Sequence, residues 1–273
     1  VFDIFVVPVR DYEEEISGGA VILQDITHLK EVDKMKTEFV SLASHQLRTP
    51  LSAIRWFLEM LSKGTIGKLT EKQKEVVDDT YRSANRMMKL INSMLNVARL
   101  EQGRMMIQPT STDLVALTQN VITLNKHTLE QKKQKLTFDH PTHFPQVLID
   151  RNLMHEVFSN LLNNASKYTP EGGKIRIELA REDGHFHWCI TDTGIGVPKD
   201  VQPRIFEKMF RADNARDEDP EGSGLGLYLA KLTIEQAGGE LSFTSEEGKG
   251  STFCVRMPME GSRAKEGERG WAK

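Results

Sequence analysis

The chain has 273 residues, of which 38% are hydrophobic and 27% charged, the composition of soluble globular protein and enough for roughly one to three domains. Its net charge of −3 excludes the basic excess that binds nucleic acid or an anionic membrane surface. No apolar run reaches the length of about 18 residues that a membrane span needs, and no targeting signal is visible. The two cysteines, Cys189 and Cys254, lie in apolar, strand-like runs and read as small buried hydrophobes in a reducing compartment, not as a disulfide or a metal site.

The sequence opens at Val1 directly on a strand-like run, as expected of a piece of a longer protein. Residues 2–9 and 20–25, rich in Val, Ile and Phe, flank the polar stretch Asp11–Gly19 and predict a β-hairpin with a long loop. Two strands alone are marginal, so the hairpin is expected to complete a sheet begun outside this sequence.

A long helix is predicted over 28–62. Leu29, Val32, Lys36, Phe39 and Ala43 recur at three- and four-residue steps, and Leu47, Leu51, Ile54, Leu58 and Leu61 continue the stripe. Lys63–Leu69, with Gly64 and Gly67, breaks it. A second helix is predicted over 70–101, opened by a capping box of Thr70 and Gln73. Its stripe, Val77, Tyr81, Ala84, Met88, Ile91, Leu95 and Ala98, keeps a heptad spacing. Such helices form an antiparallel hairpin. One hairpin cannot cover two stripes of this width, whereas two hairpins paired as a four-helix bundle can, so a homodimer is expected.

After Gly103 the pattern changes. A helix is predicted over Asp113–Gln131 with Asp113 as its cap, then short strands at Leu136–Phe138 and Val147–Ile149. Arg151–Tyr168 reads as a helix stopped by Pro170. Lys174–Arg181 and His185–Thr191 alternate as strands around Asp183-Gly184. Gly194–Ser223 reads as a long loop, Leu225–Gln236 as a helix, and Glu240–Ser245 with Ser251–Met257 as a terminal hairpin. Segregated helices and mainly hairpin-connected strands predict an α+β two-layer sandwich. The polar stretch Gly261–Lys273 reads as a disordered tail.

Four constellations carry chemistry. The first is Ser44-His45-Gln46-Leu47-Arg48-Thr49-Pro50-Leu51. A lone helical histidine is most often structural or merely solvated, but here a proline sits one turn beyond it. Pro50 lacks an N–H, which frees the carbonyl of Gln46 and loosens the helix beside a side chain that can attack phosphorus at neutral pH. The second is Glu156, Asn160, Asn164 and Lys167, near one face of a helix, where amide oxygens and a lysine suit hydrated Mg²⁺ and phosphates and a solvated face is the plainer reading. The third is Asp192-Thr193-Gly194-Ile195-Gly196 at the end of an apolar strand, a carboxylate followed by glycines that permit close backbone approach. The fourth is Gly222-Ser223-Gly224-Leu225-Gly226-Leu227, which opens a helix whose N–H groups can hold phosphate. It lacks the βαβ context of a dinucleotide site and the Gly-Lys-Ser/Thr of a Walker loop.

Together these segments resemble the sensor histidine kinases of two-component systems. The first is similar to their phosphoacceptor box, the second to their asparagine box, and the third and fourth to their glycine boxes. Ile205-Phe206-Glu207-Lys208-Met209-Phe210-Arg211 between the last two is similar to their phenylalanine box. Five boxes in the family's order span about residues 28–258. Asp25-Ile26-Thr27 resembles the end of a PAS sensor domain.

The resemblance implies a PAS-like remnant over 1–27, a dimerisation and phosphotransfer domain over 28–103, and an ATP-binding catalytic domain of the gyrase type over 108–260, ahead of the tail 261–273. It implies that His45 is phosphorylated from Mg²⁺-ATP and passes the group to an aspartate of a response-regulator receiver domain, in the cytoplasm, with any membrane anchor in a missing N-terminal part. Arg48 belongs to the same box, and Thr49 matches the position that orients a water for dephosphorylating the partner. Asn160 and Asn164 would hold the metal. Lys167 and Arg211 would face the phosphates, Asp192 the adenine amine and Thr252 the adenine region, while Tyr168, Gly194, Gly196, Gly222, Gly224, Leu225 and Gly226 would complete the nucleotide site.

Gln46 departs from the family, which has an acidic residue there. An amide accepts a hydrogen bond but is no general base, so slowed autophosphorylation, a phosphatase-biased enzyme or a pseudokinase scaffold are the alternatives. A gyrase-type or chaperone ATPase using Glu156 as its base would lack the His45 box.

Overall fold

The structure, a computed structural model, describes residues 1–10, 14–101, 106–220 and 222–261. Most of the expected tail therefore lies outside the described residues, as do Gly103 and part of the first loop. The chain divides into two compact units, Val1–Ala98 and Arg99–Lys273.

In the first unit, strands β1 (Phe2–Arg10) and β2 (Ile16–Asp25) pair antiparallel, in register from Phe2 opposite Asp25 to Val9 opposite Gly18, with a shift before Arg10 meets Ile16. Strand β2 starts four residues earlier than its apolar run, because ladder pairing carries the strand through Gly18 and Gly19. Helix α1 (Thr27–Ser62) runs unbroken through Pro50, and α2 (Glu71–Glu101) returns beside it. The proline is tolerated because Leu51, Ala84 and Ile91 form a buried cluster, with Leu58 and Met88 packed on it, so packing between helices offsets the lost backbone bond. The capping box forms: the Thr70 N–H donates to Gln73 Oε1 (2.9 Å) and the Gln73 N–H to Thr70 Oγ1 (3.4 Å). Much of the stripe, including Leu47, Ile54 and Val32, stays exposed on the single hairpin.

The second unit is a two-layer α+β sandwich. Helices α3 (Leu114–Gln131), α4 (Arg151–Tyr168) and α6 (Gly226–Gln236) cover one face of a five-stranded sheet ordered β4-β6-β7-β9-β8. These strands are β4 (Lys135–Asp139), β6 (Lys174–Glu182), β7 (His185–Asp192), β8 (Glu240–Glu246) and β9 (Gly250–Pro258). In β7, Phe186, Trp188, Ile190 and Asp192 alternate inward, the two-residue period of a half-buried strand. Helix α3 is capped by Asp113, which accepts from the Ala116 N–H at 3.0 Å. Asp150 caps α4, accepting from Asn152 and Leu153 at 3.0 and 3.1 Å.

Two expectations need correction. Cys189 and Cys254 face each other on adjacent strands and are joined by a disulfide, because the register of β7 and β9 puts them on one rung. Residues 194–223 are not an unstructured loop: Gln202–Arg204 form a 3₁₀ turn and Asp213–Glu218 a short helix, α5. The sheet is mainly antiparallel, as expected, with two features that the sequence did not mark. Strand β4 pairs parallel with β6, and a strand unmarked by alternation, β3 (Thr110–Thr112), pairs with β5 (Val147–Ile149) in a separate two-stranded sheet.

Candidate functional site

On the first unit, helix α1 carries His45, Gln46, Arg48 and Thr49 in the two turns before or beside Pro50. Gln46 and Thr49 are exposed. The Arg48 guanidinium donates to Asn92 Oδ1 at 2.8 Å, tying this turn of α1 to α2.

The second unit has a cleft of about 250 Å³ at the edge of the helical layer. Asn160, Asn164, Lys167 and Tyr168 of α4, Asp192 at the end of β7, and Gly196, Arg211, Gly222, Gly224 and Gly226 all line it. One helix face, one strand end and the 194–226 segment thus converge, which residue spacing alone does not require. Gly194 packs behind this wall, its N–H donating to Asp192 Oδ1 at 2.8 Å. Leu225 is fully buried under the start of α6, and Thr252 meets Thr191 hydroxyl to hydroxyl at 3.0 Å on the opposite face of the sheet. Gly196 has φ +62, and a Cβ there would overlap the Glu246 carbonyl, so only glycine lets the segment cross the sheet edge.

Asp192 is 7% exposed, and its Oδ1 accepts from the backbone N–H groups of Gly194 and Ser251. Burial pushes its carboxyl up to about 6 against the opposing pull of those two bonds. The folded state thus holds this proton more tightly than the unfolded chain. The site's contribution to stability is full below about 3.8 and is lost as the pH rises through about 6. Burial also raises the Tyr168 phenol.

Arg211 is turned into its own loop. Its guanidinium donates to the carbonyls of Ala215 (2.8 Å), Gly222 (3.0 Å) and Pro220 (3.1 Å), and also to that of Asp219. The Asp219 carboxylate pairs with Lys167 and lies 3.8 Å from Arg211. Asn214 donates to the Gly196 carbonyl at 3.1 Å. Asp219, Asn214 and Ser251 escaped sequence reasoning because irregular segments and backbone donors carry no periodic signal. The acidic run 217–219 beside a glycine box was the one available hint. Phe206 and Phe210 pack against the main core, Phe206 edge-on to Phe243 at 5.5 Å.

Asn160 and Asn164 both line the cleft, and amide oxygens are the hard, neutral donors that Mg²⁺ takes. Among the described residues no group of three or more His, Cys, Asp or Glu could hold a metal, so an ion here would depend on neutral oxygens and on phosphate.

Comparison with known proteins gives two family matches. Residues 35–103 match the His Kinase A (phospho-acceptor) domain, and residues 149–261 match the histidine kinase-, DNA gyrase B- and HSP90-like ATPase family. Sensor protein SrrB of Staphylococcus aureus is 30% identical over 242 residues, which cover 89% of this chain and 41% of that protein. The chain therefore spans about two fifths of the length of the curated relatives it matches. Full-length ShkA, solved in complex with AMPPNP, superposes with a TM-score of 0.70 at 26% identity, covering 83% of this chain and 46% of that one. ThkA, solved in complex with the response regulator TrrA, shares the fold with a TM-score of 0.58 at 21% identity, covering 94% and 75%.

Proposed function

The chain belongs to the sensor histidine kinase family, and from that premise we propose that it binds Mg²⁺-ATP in the cleft of its second unit and phosphorylates its own His45. The observation that carries the reading is convergence: the asparagine face of α4, Asp192 and the glycine segment meet around one cleft in a chain that also holds a phosphoacceptor box. ShkA, of the same architecture, was solved with an ATP analogue.

In this reading Asp192 accepts the adenine amine through Oδ2, Oδ1 being held by two backbone N–H groups. Asn160 and Asn164 would hold the metal, which would neutralise phosphate charge when bound. Lys167 exchanges Asp219 for a phosphate, and Arg211 organises the loop that closes over it. The His45 imidazole attacks the γ-phosphorus in line as the bond to the ADP oxygen breaks, and positioning and charge neutralisation supply most of the acceleration. The phosphoryl group then passes to an aspartate of a response regulator, the kind of partner solved with ThkA. Two hairpins pair as a four-helix bundle, covering stripe residues such as Leu47 and Ile54 that one copy leaves exposed. Among the described residues no helix is long and apolar enough to cross a membrane.

The test is incubation of the full chain with Mg²⁺ and γ-labelled ATP. Acid-labile, base-stable label on the protein is expected. Nucleotide binding without any label would remove the autokinase reading and favour a phosphatase, for which exposed Gln46 is the specific argument.

Asp192→Asn should weaken ATP binding by roughly 10- to 100-fold, the worth of a hydrogen bond to a charged group. The asparagine oxygen must take the place of Oδ1 opposite Gly194 and Ser251, which turns its NH₂ toward the adenine amine, donor against donor. Wild-type affinity should fall as the pH drops through about 6 and the carboxylate is protonated, and the variant should lose that dependence. Calorimetric titration between pH 5 and 8 checks both, and an equal slope in the two proteins would exclude Asp192 as the adenine acceptor.

A further inference from the structure

The disulfide has no part in the mechanism above, yet it sits on the two strands that build the carboxylate end of the cleft. On β7 the order is Cys189, Ile190, Thr191, Asp192. On β9 it is Ser251, Thr252, Phe253, Cys254. The rungs run Cys189 opposite Cys254, Ile190 opposite Phe253 and Thr191 opposite Thr252, and the next step is the bond from the Ser251 N–H to Asp192 Oδ1. The covalent link is thus three residues along each strand from that bond. Phe253, between them, lines the cleft.

Two further observations bear on what the link does. Both cysteines are partly exposed and lie on the face of the sheet away from the helices, because the inward set of β7 is Phe186, Trp188, Ile190 and Asp192. A small thiol or disulfide reagent can therefore reach them without unfolding the core. The bond also closes a loop with a sequence separation of 65, which contains Asp192, both glycine boxes, Arg211, α6 and β8. A cross-link removes more freedom from the unfolded chain the longer the loop it closes, so opening this one lowers the stability of the segment that walls the cleft against local unfolding.

We propose that Cys189–Cys254 is a reversible thiol–disulfide modification site whose redox state sets the rigidity of the Asp192–Ser251 end of the sheet. In one direction a low-molecular-weight dithiol delivers two electrons and two protons. The S–S bond breaks, Cys189 and Cys254 become thiols, and the reagent closes to its own disulfide. In the other direction one protein thiolate attacks a sulfur of a low-molecular-weight disulfide and expels a thiolate. The second protein thiolate then displaces the remaining reagent thiolate from the mixed disulfide. With the link open, the β7–β9 ladder is held at this end by its hydrogen bonds alone. The consequence for ATP rests on the nucleotide reading above; the change in rigidity does not.

The experiment equilibrates the full chain with oxidised and reduced dithiothreitol at varied ratios. It reads free thiols by alkylation mass, amide exchange by peptide, melting temperature, and the affinity of a fluorescent ATP analogue. Two thiols should appear together. The second unit should melt roughly 10 °C lower when reduced, and exchange over 190–193 and 251–253 should quicken by about tenfold, well beyond any change in α3. Analogue affinity should fall severalfold in parallel, and Cys189→Ser/Cys254→Ser should match the reduced wild type at every ratio. Two free thiols at all ratios would overturn the proposal. So would a disulfide whose opening lowers the melting temperature without singling out those two peptides, since that is a staple and no more. Redox-dependent exchange with no analogue bound in either state would uphold this proposal while defeating the nucleotide reading.

Discussion

His45→Ala should leave no acid-labile label on the chain while nucleotide affinity stays within about twofold of wild type. The two outcomes separate because the second unit has its own core, running from Leu114 to Met257, to which no described residue of the first unit contributes. Changes at sites without shared partners act independently. Alanine is also the residue most favourable to a helix, so α1 should persist. Label remaining in His45→Ala would place the phosphoryl group on another side chain. Gln46→Glu asks a second question of the same turn. Gln46 is exposed and glutamate has its shape, so the substitution adds a carboxylate without repacking. General-base assistance is worth on the order of 10²-fold or more, and labelling should accelerate toward that if the missing carboxylate limits the rate. An unchanged rate would mean that another step limits.

Trp188→Ala should be the most destabilising single change in the second unit, by about 3–5 kcal/mol. The indole is fully buried and lies flat on Phe158, ring centres 4.1 Å apart and planes within 5°. Its Nε1–H donates to Thr118 Oγ1 at 3.0 Å, and that hydroxyl donates in turn to the Leu114 carbonyl at 2.8 Å. Truncation therefore opens a cavity between β7 and α4 and also strips an acceptor bond from a buried threonine. Trp188→Phe should recover most of the loss, keeping the stack and forfeiting the hydrogen bond. Calorimetric melting of the full chain measures both. A shift under about 1 kcal/mol for the alanine variant would show that the sheet and helix layers can close over the gap.

The position of Trp188 illustrates how little of the site is local. Asp192 lies four residues further along the same strand, so the stack that holds β7 against α4 also fixes the carboxylate relative to the asparagine face. Stability and site geometry share one element pair here, which is why a core substitution far from any ligand is expected to reach the cleft.

Much of the fold was legible in the sequence. The heptad stripe, the Thr70–Gln73 box, the Asp113 cap, the span of α4 and the turn at Asp183-Gly184 are set by contacts within a few residues, and those contacts leave a period or a cap in the chain. Both residues of that turn take positive φ, +47 and +73, as the dipeptide implies. The motif boxes were legible for the same reason, each being a short run. What only the tertiary structure decided is pairing across long separations. Neither the parallel match of β4 with β6 nor the ladder of β3 with β5 has a signature in its own residues, because three to five polar-apolar residues pair with whatever strand burial brings alongside. Cys189 and Cys254 read as two unconnected hydrophobes until the register of β7 and β9 set them on one rung. Arg211 and Asp219 found their partners only when the segment folded back and placed four carbonyls and a lysine within their reach. Local sequence specifies which elements form; register and burial, properties of the whole packed unit, decide which side chains meet.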